Sequence, residues 1–139
     1  MITCYPFPWM LDRWLKVLEE NGVLKTKEYV RVSLSYNDLP RKRGGEGMLH
    51  RALKKYAYQM LKELGDPHPE YEYGYCDVYS KRLRIAIECG VTHISKVIEL
   101  FFQWNMADEV WVLDYPDENG FAELIKFKRT KSAIMFGGA

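Results

Sequence analysis

Two acidic residues with the spacing of a β-hairpin are the strongest chemical signal in this sequence. Asp77 lies in YGYCDVYS and Glu88 lies in RIAIECG, eleven positions further on. If the turn centres on Arg82 and Leu83, Asp77 falls directly opposite Glu88, with Cβ atoms roughly 4.5–5.5 Å apart on one sheet face. Two carboxylates this close repel each other unless a cation joins them, and divalent metals prefer such hard oxygen ligands. The spacing therefore predicts a cation site, to which Glu46 can add a third carboxylate.

The elements that must position these acids follow from the periodicity of apolar residues. Helical spacing predicts helices at 8–21, 46–64 and 95–105, the first beginning at a proline and ending at Asn21-Gly22. Alternation or short apolar runs predict strands at 27–36, 71–79, 83–89, 110–113 and 121–128, the last of them an edge strand. We expect the charged face of the second helix to be exposed: Lys54, Lys55, Lys62 and Glu63. The order α-β-α-β-β-α-β-β predicts an α/β fold with a mixed central β-sheet flanked by helices.

Length and composition indicate one domain covering residues 1–139, with the first helix as an addition to a core at about 28–129. A net charge of +1 gives no overall attraction to nucleic acid, so any binding must come from local basic patches. The three cysteines lack CxxC spacing, which argues against a zinc site or a disulfide framework. No signal peptide and no membrane span are predicted, so the expected location is the cytoplasm.

The order of these elements and acids resembles the PD-(D/E)xK nuclease superfamily, which includes restriction enzymes and archaeal Holliday junction resolvases. The resemblance covers roughly residues 44–113: a helix with a glutamate, a hairpin with Asp77 and then Glu88, a helix, and the strand in ADEVWVL. It implies a restriction endonuclease-like core and a metal-dependent endonuclease that hydrolyses DNA phosphodiester bonds. It also implies Mg²⁺ (or Mn²⁺) as cofactor, DNA as partner and a possible homodimer.

The resemblance assigns roles to individual residues. Glu46, Asp77 and Glu88 would bind the metal and act in catalysis, and the backbone carbonyl of Cys89 would complete the ligand set. The family lysine would stand two residues beyond Glu88, where this chain has Gly90. Three residues can substitute for it, and the sequence does not rank them: Lys96, His50 and His93.

Basic residues near these elements are candidates for phosphate contacts. The nucleic-acid-binding set comprises Arg41, Lys42, Arg43, Lys81 and Arg82, and further cations follow at Arg84, Lys126, Lys128, Arg129 and Lys131. The tyrosines at 71, 73, 75 and 79 are interpreted as a half-buried sheet face, and residues 9–14 as core or an oligomer contact. Two alternatives stay open: a catalytically inactive nuclease-fold protein that binds nucleic acid or protein, and an unrelated α/β interaction protein whose acids pair with Arg84 and Lys81.

Overall fold

A six-stranded mixed β-sheet forms the centre of the protein. The computed structural model describes residues 1–130. Lys131, a predicted phosphate contact, lies outside them, and so does the tail at 134–139, whose composition is also compatible with disorder. The strands are β1 (Ile2–Thr3), β2 (Val23–Arg31), β3 (Glu70–Tyr71), β4 (Val78–Ser80), β5 (Ile85–Cys89), β6 (Thr92–His93), β7 (Glu109–Leu113) and β8 (Phe121–Arg129). The large sheet has the order β2-β8-β7-β5-β4-β3, and β1 pairs with β6 separately. The helices are α1 (Leu11–Glu20), α2 (Met48–Glu63) and α3 (Ile94–Ile98), with a 3-10 turn at Pro8–Met10.

Each face of the sheet is covered by helix, so the central strands are buried on both sides. All five residues of β5 are buried, because even-numbered and odd-numbered side chains enter different cores. One core packs α2 against the sheet through residues such as Leu53, Leu61 and Ile87. The other packs α1 and α3 against the opposite face through residues such as Leu18, Val97 and Val112. The predicted mixed α/β architecture is confirmed, and no helix within residues 1–130 is long and apolar enough to cross a membrane.

The predicted hairpin has the predicted register. Strands β4 and β5 are antiparallel with Val78 opposite Ile87 and Ser80 opposite Ile85, so the same register places Asp77 opposite Glu88. Strands β5 and β7 are parallel, and their carboxyl ends therefore meet at one edge of the sheet. Residues that follow these two strands lie beside the acid pair.

Two strand predictions were wrong in position. The strand expected at 27–36 is β2 at Val23–Arg31, because all nine of its residues pair with β8. That pairing places β8 between β2 and β7, so β8 is an inner strand and not the predicted edge strand. Strand β8 pairs with β2 along its whole length and with β7 at residues 124–128, and five of its nine side chains are buried.

The predicted strand at 71–79 is interrupted by a loop. Only β3 and β4 are extended, and between them Glu72 and Gly74 adopt positive φ angles of 55° and 62°. The loop closes on itself, because the Glu72 N–H donates to the Asp77 carbonyl at 2.9 Å. The predicted helix at 95–105 is also divided, into α3 and a π-helical turn at Glu99–Gln103.

Candidate functional site

The Asp77–Glu88 pair lies at the carboxyl end of β5. Asp77 accepts a hydrogen bond from the Cys89 N–H at 2.9 Å, which fixes its carboxylate against the strand. Glu88 is only 6% exposed, and its Oε1 atom is buried without a hydrogen-bond partner. A buried acid with an unpaired oxygen is costly, so this arrangement calls for a proton or a cation.

The two carboxyl groups have opposite protonation tendencies. Burial, and then the neighbouring Asp77 carboxylate, raise the pKa of Glu88 to about 9, and the Lys96 ammonium opposes this rise. Burial alone would raise the pKa of Asp77 too, but the neighbouring His50 imidazole and the hydrogen bond from the Cys89 N–H outweigh it and lower that pKa. Without metal, these opposite shifts favour a proton on Glu88 over one on Asp77.

His50 connects this pair to Glu46. Its Nε2 atom lies 3.2 Å from Glu46 Oε2 and 3.7 Å from Asp77 Oδ1. Glu46 itself precedes α2, which begins at Met48 and not at residue 46 as predicted. The Nδ1 atom of His50 lies 2.9 Å from the hydroxyl of Tyr115. The Asp77 carboxylate, 3.7 Å away, raises the pKa of His50 above its ordinary value, although burial opposes this. The imidazole can therefore hold a proton between two carboxylates.

Lys54 is a buried cation on the same face of α2. The sequence predicted it to be exposed, but it is 0% exposed. Its Nζ atom lies 3.1 Å from Glu46 Oε2 and also contacts the Glu72 carboxylate. These hydrogen bonds raise the pKa of Lys54 although burial lowers it. The prediction failed because the loop at 72–77 turns Glu72 toward α2 and covers the face that helical periodicity left exposed.

The predicted site residues therefore separate into groups. Glu46, His50, Asp77 and Glu88 are brought together, and Cys89 contributes its amide, while a ligand role for its carbonyl stays a prediction. Within residues 1–130, no three His, Cys, Asp or Glu side chains form a ready metal-binding group. The reason is visible in the contacts: His50 lies between Glu46 and Asp77, and Lys54 takes up the other side of Glu46.

The three proposed substitutes for the family lysine have different environments. His50 contacts the acids directly. Lys96 lies in α3, and its Nζ atom is 5.2 Å from the ring centre of Tyr75. Its charge also acts on Glu88, where it opposes the rise of that carboxyl's pKa. His93 caps α3: its Nδ1 atom accepts from the Ser95 N–H at 3.1 Å, and its Nε2 atom donates to the Tyr5 carbonyl at 2.8 Å. Both nitrogens of His93 thus have structural partners.

Gly90 has a structural reason to be glycine. Its φ is +81°, and a Cβ atom there would lie 2.8 Å from the ring of Tyr115. A lysine at this position would require both a strained backbone and a displaced tyrosine. Tyr115 was missed by the sequence reasoning, because only the pairing of β5 with β7 brings it to this site. It follows β7, whose carboxyl end lies beside that of β5.

The basic residues also divide into two groups. Arg41, Lys42 and Arg43 are exposed and line a cavity of about 520 Å³ whose wall includes Lys54 and Glu72. Lys81 and Arg82 are exposed at the hairpin turn. Most of the further cations have other contacts: Arg84 with Asp108, Lys126 with Glu28, and Lys128 with Glu109.

Arg129 was wrongly predicted as a phosphate contact. It is 9% exposed, donates to Asn105 Oδ1 at 3.0 Å and packs against the Phe101 ring. The predicted pairing of Arg84 and Lys81 with the central acids was also wrong, because Lys81 pairs with Glu70 at 3.5 Å and Arg84 with Asp108 at 3.1 Å.

Fold and site together define an α/β protein with an acidic cluster at the carboxyl ends of two parallel strands. No protein-family profile, curated protein or solved structure matches this chain. Statements about its function therefore rest on the contacts described above.

Proposed function

We propose that this protein is a metal-dependent endonuclease that hydrolyses DNA phosphodiester bonds on a restriction endonuclease-like core. One observation carries the proposal: Asp77 and Glu88 form a buried acid pair in which Glu88 Oε1 has no partner. Burying two acids together weakens a fold unless the arrangement serves a ligand. A divalent cation is the ligand that fits carboxylate oxygens in this position.

The donor set suits Mg²⁺ or Mn²⁺. Asp77 and Glu88 would hold the ion, with Glu46 and the carbonyl of Cys89 as further oxygen ligands. The Oε1 atom of Glu88 has no hydrogen-bond partner and is available as a metal ligand. His50 lies between Glu46 and Asp77, so it would have to shift before Glu46 could bind the same ion. When bound, such an ion lowers the pKa of a water molecule and neutralises charge that develops on phosphorus.

The protein's own residues prepare this chemistry. Asp77 is ionised and oriented by the Cys89 amide. Glu88 must release its proton before it can serve as a ligand. His50, whose Nε2 atom faces Glu46 and Asp77, can hold a proton for a leaving oxygen, and Tyr115 orients its other nitrogen. Lys54 holds Glu46 and Glu72 in place from beneath.

DNA would approach over exposed cations. Arg41, Lys42 and Arg43 line the same cavity as Lys54 and Glu72. Lys54 in turn pairs with Glu46 of the acidic cluster. Lys81 and Arg82 add phosphate contacts at the hairpin turn. Each contact contributes affinity that falls as salt rises. A homodimer would place two such sites on one DNA and allow both strands to be cut.

A second function is favoured by one observation. The backbone at Gly90 and the ring of Tyr115 exclude a lysine from the position where the family has one. Unless His50 or Lys96 replaces it, the protein would bind DNA without cutting it. This catalytically inactive nuclease fold is the alternative.

A cleavage assay separates the two functions. Plasmid, junction and single-stranded DNA are incubated with Mg²⁺, Mn²⁺ or EDTA. The nuclease proposal expects metal-dependent cutting that Asp77→Asn abolishes and that Glu118→Gln, a change of an exposed loop acid, leaves unchanged. Salt-sensitive binding without cutting by folded protein supports the inactive alternative, and neither binding nor cutting refutes both.

A further inference from the structure

Two aromatic side chains form an exposed pair beside the acidic cluster. Tyr75 is 68% exposed and Trp104 is 48% exposed. Their ring centroids lie 5.6 Å apart with an angle of 43° between the planes. Tyr75 projects from the loop at 72–77, and Trp104 follows the π-helical turn. The sequence assigned Tyr75 to a half-buried sheet face, but its ring is mostly in contact with solvent.

Two independent links connect this pair to the site. Tyr75 lies two residues before Asp77 in the same loop. The ammonium of Lys96 lies 5.2 Å from the centre of the Tyr75 ring. Lys96 is also near enough to Glu88 to oppose the rise of that carboxyl's pKa. Lys96 is therefore a neighbour of both the aromatic pair and the acid pair.

We propose that Tyr75 and Trp104 form a stacking platform for unpaired bases of single-stranded DNA, with Lys96 contacting the adjacent phosphate. The proposal rests on the nuclease function and names its substrate class: DNA with a single-stranded segment next to the bond that is cut. Bases inside a duplex have both faces covered by neighbours, so only an unstacked base can lie on these rings. An exposed cation–π contact is weak, so Lys96 can leave Tyr75 for a phosphate when a base arrives.

Binding without cleavage tests the platform. The anisotropy of a fluorescent oligo(dT) is measured in EDTA, with a duplex of equal length as comparison. Tyr75→Ala and Trp104→Ala are each expected to weaken oligo(dT) binding by about fivefold to a hundredfold, since stacking on one aromatic ring contributes that much. Tyr75→Phe keeps the ring and is expected to bind as the native protein does. The duplex is expected to lose much less affinity.

Trp9→Ala is the matched control. Trp9 is 73% exposed and has its own aromatic neighbour, Phe7, at 5.9 Å, but it lies in the N-terminal turn. It is expected to leave oligo(dT) binding unchanged. Equal losses in Trp9→Ala and Trp104→Ala, or equal losses for duplex and single strand, overturn the platform.

A second measurement does not depend on variants. Oligonucleotides carrying 5-iododeoxyuridine are crosslinked to the native protein and the crosslinked residues are mapped. Crosslinks at Tyr75 or Trp104 support the platform, and crosslinks confined to other residues refute it. The outcomes are separable from the proposed function. If the Tyr75→Ala variant still cuts DNA and binds oligo(dT) with native affinity, the platform alone is refuted. If binding depends on the platform but no metal-dependent cutting occurs, the nuclease function alone is refuted.

Discussion

Replacing Glu88 with glutamine should stabilise the metal-free protein at neutral pH. Burial and the Asp77 carboxylate raise the pKa of Glu88 to about 9, from an ordinary value of 4.5. The folded protein therefore keeps a proton on Glu88 over a pH range in which the unfolded chain releases it. Glutamine has the same shape, is always neutral and can donate its amide N–H to Asp77. It removes the titration while keeping the packing.

The sign and size follow from proton linkage. Below pH 4.5 both states of the wild type are protonated at Glu88, and the group has no effect on the pH dependence. As pH rises from there toward about 9, the unfolded state gains stability by releasing the proton, so the free energy of unfolding falls. Each pH unit corresponds to about 1.4 kcal/mol, so by pH 7 the loss is about 3 kcal/mol. Glu88→Gln lacks this loss.

Urea unfolding in EDTA at pH 5, 6, 7 and 8 measures the effect. The free energy of unfolding of the variant minus that of the wild type should grow steadily with pH and reach about 3 kcal/mol near pH 7. Glu118→Gln changes an exposed acid and should show no such trend. A difference that stays constant with pH would refute the assignment of a proton to Glu88. A variant less stable than the wild type at every pH would show that the carboxylate pairs with a cation even in EDTA.

Three further predictions concern the surroundings of the site. Lys54→Met should lower the free energy of unfolding by about 3–5 kcal/mol, because two carboxylates lose their buried partner. Lys62 is exposed on the same helix, so Lys62→Met should change it very little. Equal losses in urea unfolding would contradict the buried pairing. Gly90→Ala should cost at least about 1–3 kcal/mol of stability through its positive φ and the Tyr115 ring, and adding Tyr115→Ala should recover part of it; an unchanged melting temperature for the single variant would contradict this geometry. Arg129→Met should lower the free energy of unfolding by about 1–3 kcal/mol without changing DNA affinity. Arg41→Ala should weaken DNA binding, reduce its salt dependence by about one counterion and leave stability unchanged. The reverse pattern in binding titrations would contradict the burial of Arg129.

The hairpin could be predicted from sequence because local and global signals agreed there. A short turn fixed the register, and alternation fixed which residues face each other, so Asp77 falls opposite Glu88 as expected. The buried run of β5 and the apolar stripe of α2 were equally regular. The contact between His50 and Glu46 was expected from their spacing of four residues and is found, although Glu46 precedes the helix.

The rest depended on contacts between distant segments. Lys54 is buried only because the loop at 72–77 leaves the strand and brings Glu72 over it, and the alternating tyrosines concealed that loop. Tyr115 reaches the site through the parallel pairing of β5 and β7, which no local pattern reveals. Arg129 resembles any surface arginine in sequence but ends an inner strand over Phe101.

A crystal structure of the protein soaked in Mn²⁺ shows whether the acid pair binds a metal. An anomalous peak is expected within coordination distance of carboxylate oxygens from both Asp77 and Glu88, with His50 displaced from between Glu46 and Asp77. The peak is expected to disappear in Glu88→Gln. Absence of a peak at saturating Mn²⁺, with Glu88 still hydrogen-bonded to Asp77, would contradict the metal site and the nuclease function that depends on it.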